Sequence, residues 1–214
     1  MSVNVHEHRP VFIPAAGIDG LLGVPEGACA IVILAHGGAT GRMSPRNNQL
    51  AEGLRGAGLG TLLLDLLTQR EEKDVEHVVD IGLLARRLAA ATQWLAEVAA
   101  VVPVPVGYFG ADTGAAAALR AASLSPRQTG AIVSFGGRLD LAGSPTLSRV
   151  RAPTQLIVGA LDQPGIVINR EAMRHLRCEH ELIVVPNAHH RFEDPGAIDS
   201  VVGHAARWFR HQLA

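Results

Sequence analysis

Short apolar runs alternate along the chain with longer stretches in which apolar residues return every three or four positions. Residues 30–35 read AIVILA with no polar interruption, the pattern of a strand covered on both faces. Comparable runs at 11–13, 20–24, 61–64, 104–109, 131–135, 155–158 and 181–185 predict further strands. Ser44-Pro45 reads as an N-cap followed by proline at the first helical position, and Gly58 stops the helix it opens. Residues 78–100 predict a long amphipathic helix, 114–123 a helix made almost entirely of alanine, and 164–177 and 197–213 two more. Strands that alternate with helices predict an α/β fold, a mostly parallel central sheet with helices on both faces. Residues 66–77, with the polar run TQREEKDVEH, form the longest surface excursion.

Composition narrows this picture. A chain of 214 residues suits one domain over 1–214 with a single sizeable core. The apolar share of 48% and charged share of 18% are those of a compact globular protein. A formal net charge of -1, with acids and bases mixed along the chain, argues against a nucleic-acid partner. No apolar stretch approaches the roughly 20 residues of a membrane helix, and the N-terminus carries His6, Glu7, His8 and Arg9 rather than a signal core. The expectation is a cytoplasmic bacterial protein. Cys29 and Cys178 lie far apart, with neither a disulfide framework nor metal-type spacing, and Cys29 reads as a small buried hydrophobe. The sequence implies no cofactor and no metal. The expected partner is a small-molecule substrate, with a second copy in a homodimer the one macromolecular association allowed for.

Chemistry enters at residues 110–114 (GADTG), between the run VGYF and the alanine helix. Glycine, any residue, a nucleophile, any residue and glycine, set between a strand and a helix, form a nucleophile elbow. The central residue is held in strained backbone, and side chains on its neighbours would collide. The turn lifts the side chain of Asp112 above the sheet at a helix N-terminus, where negative charge is favoured. The plainer alternative is that Asp112 merely caps the helix.

Two further corners follow. VGALD at 158–162 places Asp162 just past one strand, and VVPNAHH at 184–190 places His189 and His190 past the last. Reactive groups in open α/β sheets gather beyond the carboxyl ends of the strands. The order nucleophile, acid, histidine is that of the α/β-hydrolase fold, in which the acid orients the imidazole and stabilises its charged form. The pattern alone leaves His189 competing with His190. It also leaves Asp140 competing with Asp162, which its position favours. After AIVILA, the turn His36-Gly37-Gly38 can aim the amides of Gly37 and Gly38 at a developing oxyanion, together with the amide of Thr113. His36 itself reads as structural. Arg46 and Arg138 are candidate substrate-binding donors.

These segments together resemble the dienelactone hydrolase-like branch of the α/β hydrolases. The resemblance rests on GADTGAAAAL at 110–119, HGGAT at 36–40, VGALD, and PNAHHRFEDPGA at 186–197, with SPRN at 44–47 and LLLDLLT at 62–68. Members of that branch read GxSTGAAAAL at the elbow and PGATHLFEEPGA at the histidine. Aligning the latter on Pro186, Phe192, Glu193 and Pro195 selects His190, and VGALD selects Asp162. The resemblance implies a fold without a cap domain and activity on small esters or lactones. Asp112 departs from the branch, which carries serine or cysteine there.

An aspartate changes the chemistry. A carboxylate, with a reference pKa near 3.9, is already ionised at neutral pH and needs no base. Attack on an ester carbonyl would give a mixed anhydride, whereas attack on a saturated electrophilic carbon gives an ordinary ester. His190 can then activate a water to hydrolyse it. The sequence is therefore read as a hydrolase that uses Asp112 through a covalent alkyl-enzyme ester, with an epoxide as the substrate type. One alternative is an esterase or lactonase scaffold whose nucleophile has been replaced. Another is a non-catalytic binding protein. Tyr108 is expected in the core and Trp94 and Trp208 in helix packing, so none of them supplies the acid or halide-binding donor such reactions use elsewhere.

Overall fold

The computed structural model describes residues 8–36, 41–98 and 104–213. Eight strands form one sheet: β1 (Arg9–Ile13), β2 (Ile18–Gly23), β3 (Ile31–His36), β4 (Gly60–Leu64), β5 (Val106–Ala111), β6 (Ala131–Phe135), β7 (Thr154–Gly159) and β8 (His180–Val185). Their order across the sheet is β1-β2-β4-β3-β5-β6-β7-β8. β1 and β2 are a hairpin, and β2 joins β4 antiparallel. From β4 to β8 every pairing is parallel. Each sequence-predicted strand is present.

The helices are α1 (Pro45–Gly56), α2 (Val75–Val79), α3 (Ile81–Val98), α4 (Thr113–Leu124), α5 (Ser144–Leu147), α6 (Gln163–Met173) and α7 (Ala197–Gln212). The uninterrupted strand β3 shows why the fold has three layers. Ile31, Ile33 and Ala35 pack on one side with Leu84 and Leu88 of α3 and the alanines of α4. Val32 and Leu34 pack on the other side with Leu50 and Leu54 of α1 and Val201 and Phe209 of α7. Successive side chains of a strand point to opposite faces, so a strand covered twice must be apolar throughout. Alanine over most of α4 lets that helix lie close to the sheet, with Ala115 to Ala118 fully buried.

Three readings are corrected. The helix expected from residue 78 begins at Ile81, because Asp80 turns its carboxylate onto the amide of Leu83 (2.9 Å) and caps α3; its expected end at 100 lies outside the described residues. The helix expected to reach 177 ends at Met173. Cys29 is exposed rather than buried, on the turn before β3. Tyr108 is buried as expected, its hydroxyl 2.7 Å from that of Thr92, and Trp208 is buried in the packing of α7. Among the described residues no helix is long and apolar enough to cross a membrane.

The excursion after β4 is held down by Arg87 of α3. Its guanidinium donates to Glu71 at 2.8 and 2.9 Å and to the carbonyl of Leu66 at 2.8 Å. Glu71 also accepts from the amide and hydroxyl of Thr68. Chiefly through the Arg87 hydrogen bonds, the Glu71 carboxyl is held down at about 2, against an ordinary 4.5. A depressed carboxyl stabilises the fold fully above its unfolded value and loses that contribution as pH falls toward the folded one. Arg87→Met should therefore cost on the order of 2 kcal/mol at pH 6. The gap between variant and parent should shrink steadily from about pH 4.5 toward pH 2, as followed by urea unfolding across that range.

Candidate active site

Asp112 stands between β5 and α4 with φ 50° and ψ -125°, a backbone that side-chain-bearing residues rarely adopt. Both flanking glycines are needed. A Cβ on Gly110 would lie 2.5 Å from the Cα of Ala115, and one on Gly114 would lie 2.3 Å from the carbonyl oxygen of Ala35 on β3. The carbonyl of Asp112 accepts from the amides of Ala115 and Arg138, each at 3.1 Å. The elbow is thus tied forward to its own helix and sideways to the loop after β6. The carboxylate makes no cap on α4, which removes the plainer reading of this residue. Thr113, buried behind it, opens α4, and first-turn amides lack acceptors within their own helix.

The two histidines have different partners. Nδ1 of His190 lies 2.9 Å from Oδ2 of Asp162. A carboxylate oxygen accepts, so Nδ1 donates and Nε2 is left as the free ring nitrogen. Asp162 is 8% exposed and the His190 side chain 53%, so the pair has a buried anchor and an accessible working end. His189 points elsewhere: its ring and its amide both bond Asp194, at 3.0 and 2.8 Å. Asp140 is likewise engaged, chelating Arg138 through contacts of 2.7 to 3.2 Å. That pairing, with the field of Asp112 as a smaller contribution, raises the guanidinium pKa of Arg138.

Several residues that local pattern did not single out build the acid and histidine corners. Gly165 donates its amide to Oδ1 of Asp162 at 3.0 Å, and a side chain there would run into the same carboxylate. A Cβ on Gly159 would lie 2.3 Å from the carbonyl oxygen of Ala188, so only glycine lets the histidine loop close against β7. Phe192, with φ 50°, is buried with its ring centroid 4.5 Å from that of Phe135 and pins the loop from below. The pattern that could have flagged these residues is small or aromatic residues in a polar loop, but their partners lie far away in sequence.

Asp112 and His190 line one cavity of about 600 Å³, together with His36, Arg46, Phe135 and Gly136. His36 pairs with Ala111 at the carboxyl ends of β3 and β5. Burial, helped by the charge of Arg46, pushes its imidazole down to about 3, so it is neutral at physiological pH. Arg46 sits in the first turn of α1 with its guanidinium 5.5 Å above the ring centre of Phe135. Arg138 is outside the residues that line this cavity. Gly37 and Gly38, expected in the oxyanion hole, lie outside the described residues. No group of His, Cys, Asp and Glu among the described residues could hold a metal ion.

A strained elbow, a buried acid and its histidine at three carboxyl ends of one sheet are the α/β-hydrolase arrangement. The family model for dienelactone hydrolases matches residues 18–212. The chain belongs to the dienelactone hydrolase family. A dienelactone hydrolase from Anabaena variabilis has 46% sequence identity and a TM-score of 0.92, over 97% of this chain and 99% of that one. A dienelactone hydrolase-like promiscuous phosphotriesterase from metagenomic libraries superposes with a TM-score of 0.77 at 18% identity, over 97% and 98%. Est1E from Butyrivibrio proteoclasticus does so at 0.76 and 11%, over 96% and 98%. These last two share the fold. A Mycobacterium tuberculosis protein that bears a phosphoribosyl transferase name is 48% identical over 196 residues, 92% of this chain but 44% of that protein. The chain therefore spans less than half the length of that relative.

Proposed function

We propose that this dienelactone hydrolase family member hydrolyses a small electrophile through a covalent ester on Asp112, with an epoxide as the substrate type. The observation that carries the reading is a carboxylate at the tip of the elbow, sharing a cavity with an imidazole whose far nitrogen is held by Asp162. Asp112 attacks carbon and opens the ring. His190 then takes a proton from water, and the resulting hydroxide adds to the Asp112 carbonyl. The amide of Thr113, at the start of α4, stabilises the tetrahedral oxyanion of that second step. His190 returns its proton to the departing ester oxygen, so the products are a diol and a regenerated carboxylate carrying one oxygen from water.

One turnover in heavy-oxygen water should therefore leave the label in the peptide that contains Asp112, as read by mass spectrometry after digestion. Label appearing only in the product would exclude the covalent ester.

A second reading has an observation in its favour. The similarity to the Anabaena dienelactone hydrolase extends over nearly the whole of both chains, which supports an ester- or lactone-cleaving scaffold in which aspartate has replaced serine or cysteine. A binding protein without turnover would show ligand stabilisation and no product.

A further inference from the structure

Opening an epoxide leaves the electron pair of the broken C–O bond on the ring oxygen. That alkoxide is strongly basic, and the attack is slow unless something stabilises it. The one tyrosine, Tyr108, is buried in the core beneath the site, and His36 is held neutral at physiological pH. The two sequence-flagged arginines are in opposite situations. Arg138 is chelated by Asp140 and stands outside the cavity lining. Arg46 lines the cavity with Asp112 and His190, and among the described residues no carboxylate is within ion-pair distance of it. Its Nη1 donates to the carbonyl of Arg191, at 2.7 Å. A guanidinium carries five N–H donors, so most of them are left for a ligand. The group is also oriented, lying over the Phe135 ring and bonded to the Arg191 carbonyl. Donors held in position before charge develops cost no reorganisation when it does.

We infer that Arg46 is a catalytic residue of the ring-opening step, its guanidinium binding the oxygen that leaves carbon as Asp112 attacks. This deepens the reading in which Asp112 forms a covalent ester and rests on it. Asp112 gains a bond to carbon, and the C–O bond of the ring breaks with its electron pair going to oxygen. The alkoxide, held by Arg46, takes a proton from water. The hydroxide so produced is neutralised by the proton released when the ester is later hydrolysed. Arg46 keeps its own proton throughout. Partial burial lowers the Arg46 pKa below the usual arginine range, a sign of the reduced hydration that makes a cation more effective on a nascent anion.

The role is tested on full-length protein carrying His190→Gln, in which the ester should persist and can be timed by intact mass. Two electrophiles of similar size are compared: styrene oxide, whose leaving oxygen is basic, and 2-iodoethylbenzene, whose iodide needs little help. Adding Arg46→Met should slow alkylation by the epoxide about 100-fold or more while changing the iodide rate less than about threefold. Arg46→Lys should recover much of the epoxide rate, because it restores the charge. Equal loss with both electrophiles would reduce Arg46 to a binding or shaping role and overturn the inference, as would no loss with either. If His190→Gln protein with Arg46 intact takes up neither compound on Asp112, the ester reading itself fails and this inference with it. The iodide rate also reports that the variants are folded.

Discussion

Replacing His190 with glutamine should stop turnover and leave the protein alkylated. The two halves of the proposed reaction make different demands on the imidazole. Asp112 is a carboxylate in a cavity open to substrate, and an ionised carboxylate can attack without a base. Only the water that cleaves the ester must lose a proton, and Nε2 of His190 is the nitrogen placed to take it, since Nδ1 is committed to Asp162. Steady-state turnover should fall by about 10³-fold, within the span usual for a positioned general base. Intact mass should rise by the mass of one electrophile, with the increment on the peptide spanning Asp112. A serine- or cysteine-type scaffold without its nucleophile predicts no added mass, so a clean unmodified mass after long exposure would sink the ester reading. His189→Gln should do neither, because that ring is turned to Asp194.

Asp112→Ser should switch on hydrolysis of activated esters. The elbow geometry belongs to the backbone: Gly110 and Gly114 permit it, and the amides of Ala115 and Arg138 hold it through the carbonyl of residue 112. A serine there inherits the turn, the His190–Asp162 pair and the amide at the start of α4. Those are the parts an acyl transfer needs. Hydrolysis of p-nitrophenyl acetate should rise at least about 100-fold over the parent, a conservative share of what a nucleophile–base pair supplies. The effect is measured as burst and steady-state release of nitrophenolate. Silence from a variant that melts like the parent would mean that the oxyanion donors are not where ester cleavage requires them.

How much of this was readable in advance depends on how local each feature is. All eight strands followed from apolar runs, because a strand such as 30–35 announces its two-sided burial in its own residues. The elbow was equally legible, since GADTG carries its reason for glycine within five positions. The break at Asp80 was not, because the apolar period runs on through it and only the carboxylate bonding to Leu83 stops the helix. Two adjacent histidines cannot be separated by spacing; it took Asp162 and Asp194, from different parts of the chain, to tell them apart. Arg46 and Arg138 looked equivalent until Asp140 was seen to occupy one of them. Gly159 and Gly165 read as ordinary turn residues, and their purpose appears only when the histidine loop and the Asp162 carboxylate are brought against them.

The seating of Phe192 beneath the histidine loop has a practical corollary for anyone wishing to retarget this protein. With its ring buried against Phe135 and Gly159 closed on Ala188, the bank that carries the imidazole is anchored in the interior. The opposite bank, where α1 begins with Pro45 and the partly exposed Arg46, is surface architecture. A mutational library confined to that rim, with Arg46 itself kept, can reshape what enters the cavity while the proton-moving pair stays in register.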